Sequence, residues 1–218
     1  MKSQIMPTLF VRLRSHWARR RSLILGSGLL VLAALLSLQL FGRYGAGARA
    51  AFALIMVTTT ADNTTADGFC SLREAILSAN GAPANGDCTA GITGPDVINF
   101  ALGAGTPTIN VSGSPLPTIT ETVTIDGATG GATRVELNGA GAGASANGLF
   151  INNTDNCMIK SLVINRFNGT PGVNPASGNG IRIVDSDNTV VENCYIGTNS
   201  TGNSALANGS NGIFGFAT

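Results

Sequence analysis

From residue 51 onward the chain alternates short apolar runs with polar stretches, and the runs are short and β-branched. VINF (97 to 100), TINV (108 to 111), TVTIDG (122 to 127), RVELNG (134 to 139), SLVINRF (161 to 167) and TVVENCYIG (189 to 197) are each set among Gly, Asn, Asp or Pro. Runs of about 4 to 8 residues rich in Val, Ile and Thr between turn formers are strand signals. One stretch breaks the pattern. In CSLREAILSAN (70 to 80), Leu72, Ala75, Ile76 and Ala79 recur at helical spacing and make one apolar stripe. Ser71 and Glu74 stand as a capping box at its start, and Asn80-Gly81 supplies its stop. The pattern predicts an all-β chain with one short amphipathic helix near the front.

An internal repeat narrows the all-β class. NGLFINNTDNCMIKSLVINRF (147 to 167) aligns with NGIRIVDSDNTVVENCYIGTN (179 to 199) at an offset of 32 residues, and the next step reaches Asn211-Gly212-Ile213. Ile151 falls on Ile183, Asp155-Asn156 on Asp187-Asn188, Ile159 on Val191 and Ile164 on Ile196. A unit of short strands and turns cannot bury its own apolar face, so it must stack on its neighbours. Stacking in register, like residue over like, describes the turns of a parallel β-helix. The polar excursions at 168 to 178 and 198 to 210 become loops. The helix at 72 to 79 then has a task, to cover the exposed first coil as an N-terminal cap. The last stretch, NGIFGFAT, opens a coil that is not completed. We therefore expect a truncated C-terminal end, open to end-to-end association.

Charge divides the chain. Eight of the 13 Lys and Arg lie at or before Arg49, whereas all 12 acidic residues lie after it, leaving five basic against 12 acidic residues and a net of −7. That balance argues against a nucleic-acid partner, which needs Lys and Arg clustered on a folded surface. The basic front is followed by the uncharged apolar run 23 to 41 and by the small-residue stretch ending Ala48-Arg49-Ala50. This is the order of an export signal, with cleavage expected near Ala50. An uncleaved signal anchor is the alternative, and residues 23 to 41 would then be the only membrane contact. The expected division is a leader (1 to 50), a cap (51 to 100) and β-helix coils (101 to 218), in a protein that is secreted or on the cell surface.

The single His, His16, lies in the leader, which removes Ser-His-Asp and Cys-His mechanisms from the exported part. Cys70 and Cys88 flank a Gly/Asn-rich loop and are expected to pair, since disulfides persist outside the cell. A metal site is the other use of such thiols, without the CxxC or His that would accompany it. Cys157 and Cys194 fall on different rows of the repeat, so packing is expected there and not a bond between them.

The candidate chemistry is acidic. Asp155 and Asp187 stack by the repeat, and Asp185 lies two residues from Asp187, a spacing that on a strand puts both on one face. Three such carboxylates suit Ca²⁺, or an acid/base pair acting on a glycosidic bond. The competing use is structural, because Asp and Asn bond their own backbone in turns and tolerate the left-handed region. Arg166 and Arg182 are candidate contacts for anionic sugars. No cofactor is expected beyond that calcium.

CSLREAI at 70 to 76, the second cysteine at 88, GPDVINF at 94 to 100 and LPTITETVTIDGA at 116 to 128 resemble the bacterial CSLREA-domain proteins. The resemblance covers about residues 56 to 216 and extends to the polymorphic outer-membrane repeats. It implies an exported, right-handed, pectin-lyase-like β-helix, with the heptapeptide at its N-terminal edge. In that reading Cys70, Ser71, Leu72, Glu74, Ile76 and Cys88 build the cap. No catalytic residue carries over. Asn153-Thr154-Asp155 is also similar to the Asn-Thr-Asp of polygalacturonases, but the Asp-Asp, His-Gly and Arg-x-Lys that follow there are missing. The leading functional expectation is a non-catalytic surface β-helix presenting polar loops to glycans or neighbouring cells, an adhesin. A polysaccharide lyase or glycoside hydrolase using Asp155, Asp185 and Asp187 is the second expectation, and a stalk for a downstream domain the third.

Overall fold

A computed structural model describes residues 52–81, 83–169 and 177–217. The chain divides into two units, Met1–Arg49 and Ala50–Thr218, and the described residues all belong to the second. The export leader and the run 23 to 41 lie outside them, as does most of the 168-to-178 excursion. Among the described residues, no helix is long and apolar enough to cross a membrane.

The short β-branched runs become strands, and the strands become three parallel sheets. In chain order they are β1 (Leu54–Val57), then helix α1 (Leu72–Ala79), β2 (Asp96–Phe100), β3 (Thr108–Ser112), β4 (Val123–Asp126), β5 (Val135–Gly141), β6 (Leu149–Asn152), β7 (Met158–Lys160), β8 (Leu162–Asn165), β9 (Ile181–Val184), β10 (Val190–Glu192), β11 (Tyr195–Ile196) and β12 (Ile213–Phe216). The first sheet runs β1-β2-β4-β7-β10, the second β3-β5-β8-β11 and the third β6-β9-β12. Every pairing is parallel. From β4 to β12 the chain visits the first, second and third sheet in strict rotation, and the sheets do not close into a barrel.

Alternation decides what faces inward. In β2 and β4 every second side chain is buried, so one set of apolar residues forms a column through the stack. Ile55, Ile98, Ile125, Ile159 and Val191 pair in succession on the first sheet. Ile109, Leu137, Ile164 and Ile196 do the same on the second. Ile119, Ile151 and Ile183 line the third. Each fully buried Val, Leu or Ile contributes about 1.5–3 kcal/mol relative to exposure. The offset is 32 residues in the later coils, but Ile98 pairs with Ile125 and Ile125 with Ile159, offsets of 27 and 34. The earlier strands therefore keep sheet register at varying sequence spacing, so the repeat is visible in sequence only from residue 147 onward.

The Asn-Gly that opens each repeat has a physical cause. Asn179 is fully buried; its backbone N–H and its Nδ2 both donate to Asn147 Oδ1, at 3.1 and 2.9 Å. Its own Oδ1 accepts from Asn211 N and Nδ2, at 3.2 and 2.9 Å. The three asparagines form a ladder along the stack. The glycine beside each is needed because the coils approach closely there: a Cβ on Gly148 would strike the Gly180 carbonyl and Ile164, and one on Gly180 the Gly212 carbonyl and Ile196.

The predicted helix forms as read. Ser71 Oγ accepts from Glu74 N, the Glu74 carboxylate accepts from Ser71 N at 2.9 Å, and Asn80 is the C-cap. Leu72, Ala75, Ile76 and Ala79 are buried against β1 and β2. Those two strands fall in the predicted cap segment yet are already rows of the first sheet. The disulfide joins Cys70 to Cys88. Arg73 extends the anchorage by pairing with Asp62 at 2.8 Å and donating to the carbonyls of Ser114 and Pro115. Asp62 in turn accepts from Ser112 N, tying the cap region to β3.

Candidate functional site

The acidic residues sit in the turns that follow third-sheet strands. β9 ends at Val184 and Asp185 has φ +47°, so Asp185 and Asp187 lie in a turn and not along one strand face. Asn153 (φ 53°) occupies the Asp185 position one coil earlier, and Asn156 and Asn188 (φ 58° and 55°) form the next such row. This is the left-handed geometry that Asn and Asp tolerate best. Asp155 Oδ1 accepts from Asp187 N at 2.7 Å, and Asn188 Nδ2 donates to Asn156 Oδ1. Asp155 Oδ1 thus ties its own turn to the equivalent turn 32 residues later. Among the described residues, no group of three or more His, Cys, Asp or Glu is gathered as a metal-binding set.

Cys157 is buried and Cys194 partly so, and neither is bonded to another cysteine. Burial pushes both thiols above their ordinary pKa, outweighing the hydrogen bonds that favour the thiolate. The reactive form of a thiol is the thiolate, so these cysteines are poor nucleophiles. Cys194 Sγ instead takes the N–H of Leu162 at 3.5 Å, the residue one repeat before it.

The outward side chains differ sharply among the sheets. On the first, Asp126, Lys160 and Glu192 pair in register, with Lys160 Nζ 3.1 and 3.9 Å from the two carboxylates. On the second, Arg134 reaches across the stack to Asn193, donating to its backbone carbonyl at 3.0 Å and to its Oδ1 at 2.6 Å, with the guanidinium 3.9 Å from the Tyr195 ring centroid. Glu136 there accepts from Thr108 Oγ1 and Asn165 Nδ2. Although Asn165 Oδ1 on the second is left without a partner, both faces engage their charged groups within the protein.

The third sheet does not. Phe150, Arg182 and Phe214 pair in register on its outer face. The Arg182 guanidinium stacks 4.4 Å from the Phe150 ring centroid. Its Nε–H finds no acceptor, and among the described residues Arg182 joins none of the ion pairs. Val184 and Phe216, the latter 55% exposed, form the adjacent column. The sequence reading singled out Arg182 alone. Residues 150, 182 and 214 share the 32-residue spacing, so the repeat register carried the signal that would have found the two aromatics.

The described residues form a strand-rich protein of parallel sheets, with arginine stacked on an aromatic ring on both the second and the third. No family model, no curated protein and no solved structure matches the chain.

Proposed function

We propose that this chain is an exported or cell-surface, right-handed parallel β-helix of the CSLREA kind that binds glycans on its outer surface without cleaving them. Three parallel sheets visited in rotation support the coil, and about 98% of parallel crossovers are right-handed. The basic leader, the run 23 to 41 and the Cys70–Cys88 disulfide support export. The observation that carries the binding reading is the third-sheet face, where Phe150, Arg182 and Phe214 stand in one column and Arg182 joins none of the ion pairs among the described residues. Pre-ordered side chains on a sheet cost little entropy when a ligand settles on them. The acidic turn supports a non-catalytic reading, since Asp155 Oδ1 is used by the backbone of Asp187.

The test is to incubate the purified protein, with and without Ca²⁺, with acidic and neutral polysaccharides, measuring retention together with new reducing or unsaturated ends. Retention without new ends is the expected result. New ends that disappear in Asp187→Asn would replace this reading by a lyase or hydrolase. Neither retention nor cleavage on any polymer would leave the stalk.

A further inference from the structure

We infer that Asn85-Gly86, in the loop closed by the Cys70–Cys88 disulfide, is a self-modification site, where the Gly86 backbone nitrogen closes on the Asn85 side chain and Glu74 takes its proton.

The chain holds eight Asn-Gly pairs, beginning at 80, 85, 138, 147, 168, 179, 208 and 211. A following glycine, having no Cβ, leaves its nitrogen open to the side chain before it. The fold withdraws most of these pairs from that reaction. Asn80 donates to the Thr118 carbonyl and accepts from Thr120 N, Asn138 is bonded to Asn110 and Ala140, and Asn147, Asn179 and Asn211 form the ladder. Asn208 is held by Phe167 N and the Ile164 carbonyl, and the N–H groups of Gly148, Gly180 and Gly209 already donate to backbone carbonyls. The side chains of Asn85 and Asn168 make no hydrogen bond among the described residues.

Of these two, Asn85 has a base beside its glycine. Glu74 is fully buried, its Oε2 accepts from Ser71 N at 2.9 Å, and its Oε1 has no hydrogen-bond partner. That oxygen fills the place a Cβ on Gly86 would take, so it lies against the Cα that carries the reacting nitrogen. At Gly169 the atoms nearest the same place are instead the backbone of Ser177 and Gly178. A buried carboxylate oxygen without a donor gains its missing bond by taking the Gly86 N–H, which also draws off the proton. The peptide is held for this step. Asn85 N donates to Ser78 Oγ at 3.0 Å, and the Asn85 carbonyl accepts from Cys88 N at 3.2 Å. The second bond stabilises the negative charge that this peptide unit acquires when its nitrogen is deprotonated.

The Gly86 nitrogen attacks Asn85 Cγ, the bond from Cγ to the side-chain nitrogen breaks, and ammonia leaves with the proton that Glu74 had taken. Water then opens the resulting succinimide at either carbonyl, giving aspartate or isoaspartate at position 85. The product places a new carboxylate two residues from Asp87, in the loop bonded to α1.

The full chain, purified in mild detergent, is held at neutral pH and sampled over days. Peptide mapping by mass spectrometry reads loss of ammonia, and then replacement of NH2 by OH, at each Asn-Gly pair. Asn85 should convert faster than every other pair and about tenfold or more faster than Asn168, because a positioned general base contributes about 10²–10⁴ in rate. Unfolding in urea should remove that lead and bring Asn85 and Asn168 to similar rates. Glu74→Gln, which keeps a capping box, should slow Asn85 about tenfold or more in the folded protein and leave Asn168 unchanged. The thermal midpoint reports whether that variant is folded, and if it is not, the urea comparison on the parent decides. Another pair converting first, an Asn85 lead that persists in urea, or an unchanged Asn85 rate in folded Glu74→Gln protein overturns the inference.

Discussion

Asn179 offers the sharpest test of how the coils are held together. Its side chain donates through Nδ2 to Asn147 Oδ1 at 2.9 Å and accepts from Asn211 through Oδ1, and the residue is fully buried. Asn179→Asp keeps the shape and the acceptor but replaces the donor with a second acceptor facing Asn147 Oδ1. No cavity is made, so the change acts through hydrogen bonding and charge. Leaving a buried acceptor unmatched costs about 1–3 kcal/mol, and a buried charge adds to that, partly offset by the Asn211 donors. A net loss of about 3 kcal/mol follows, at the upper end of ordinary single substitutions. For a chain of about 150–250 residues this lowers the thermal midpoint by roughly 6–12 °C. The sign of the pH dependence is also determined. Burial beside a carbonyl raises the new carboxyl's pKa above its unfolded value of about 3.9. The protonated form is therefore the one that folding favours, and it supplies an O–H donor for Asn147. The deficit should be largest at pH 7 and shrink as the pH falls through the raised pKa. Thermal and urea unfolding of both proteins at pH 7 and near pH 4.5 measure it, each variant compared with its parent at the same pH. A deficit below about 0.5 kcal/mol at pH 7, within the usual scatter for surface changes, would refute the ladder's role. So would a deficit that grows on acidification.

Removing the disulfide by Cys70→Ser with Cys88→Ser opens a loop of sequence separation 18, which should cost about 3 kcal/mol. Dithiothreitol should bring the parent's unfolding midpoint down to that of the variant, and an unshifted midpoint would mean that the helix is held by its apolar stripe alone. The thiols of Cys157 and Cys194 have pKa values raised by burial, so folding favours their protonated forms, and that stability is present below the ordinary value of 9.0 and lost above it. Urea unfolding at pH 7.5 and pH 10 should show the parent losing more stability than a Cys157→Ala/Cys194→Ala variant. The Cys157 thiol should react with a disulfide reagent only after denaturation, and fast native labelling would contradict its burial.

Local features of this chain were legible in advance because they depend on neighbours in sequence. Ser71, Glu74 and the stripe Leu72, Ala75, Ile76 and Ala79 specify a capped helix within a few residues of one another, and the helix forms there. The Cys70–Cys88 pairing was readable for the same reason, two thiols bracketing one short loop. The stacking of Ile151 on Ile183 and of Ile164 on Ile196 was readable from the repeat, because register between identical units is a matter of spacing. For Asp155 two uses were legible, a paired carboxylate or a turn residue bonding backbone, and the Asp187 N–H that donates to its Oδ1 shows the second.

The amino-acid sequence by itself determined the strand-rich class, the later repeat and the helix with its disulfide, since each follows from periodicity or short spacing. Only the tertiary structure decided which polar groups are spent and which remain. Arg134 and Asn193 are 59 residues apart and meet because the stack brings their rows together. Lys160 is neutralised by carboxylates one coil to either side. Arg182, on a row whose neighbours are phenylalanines, receives stacking but joins none of the ion pairs among the described residues. Partnering across coils depends on which rows become neighbours and which way each strand turns its side chains, and these are set by how the whole chain winds.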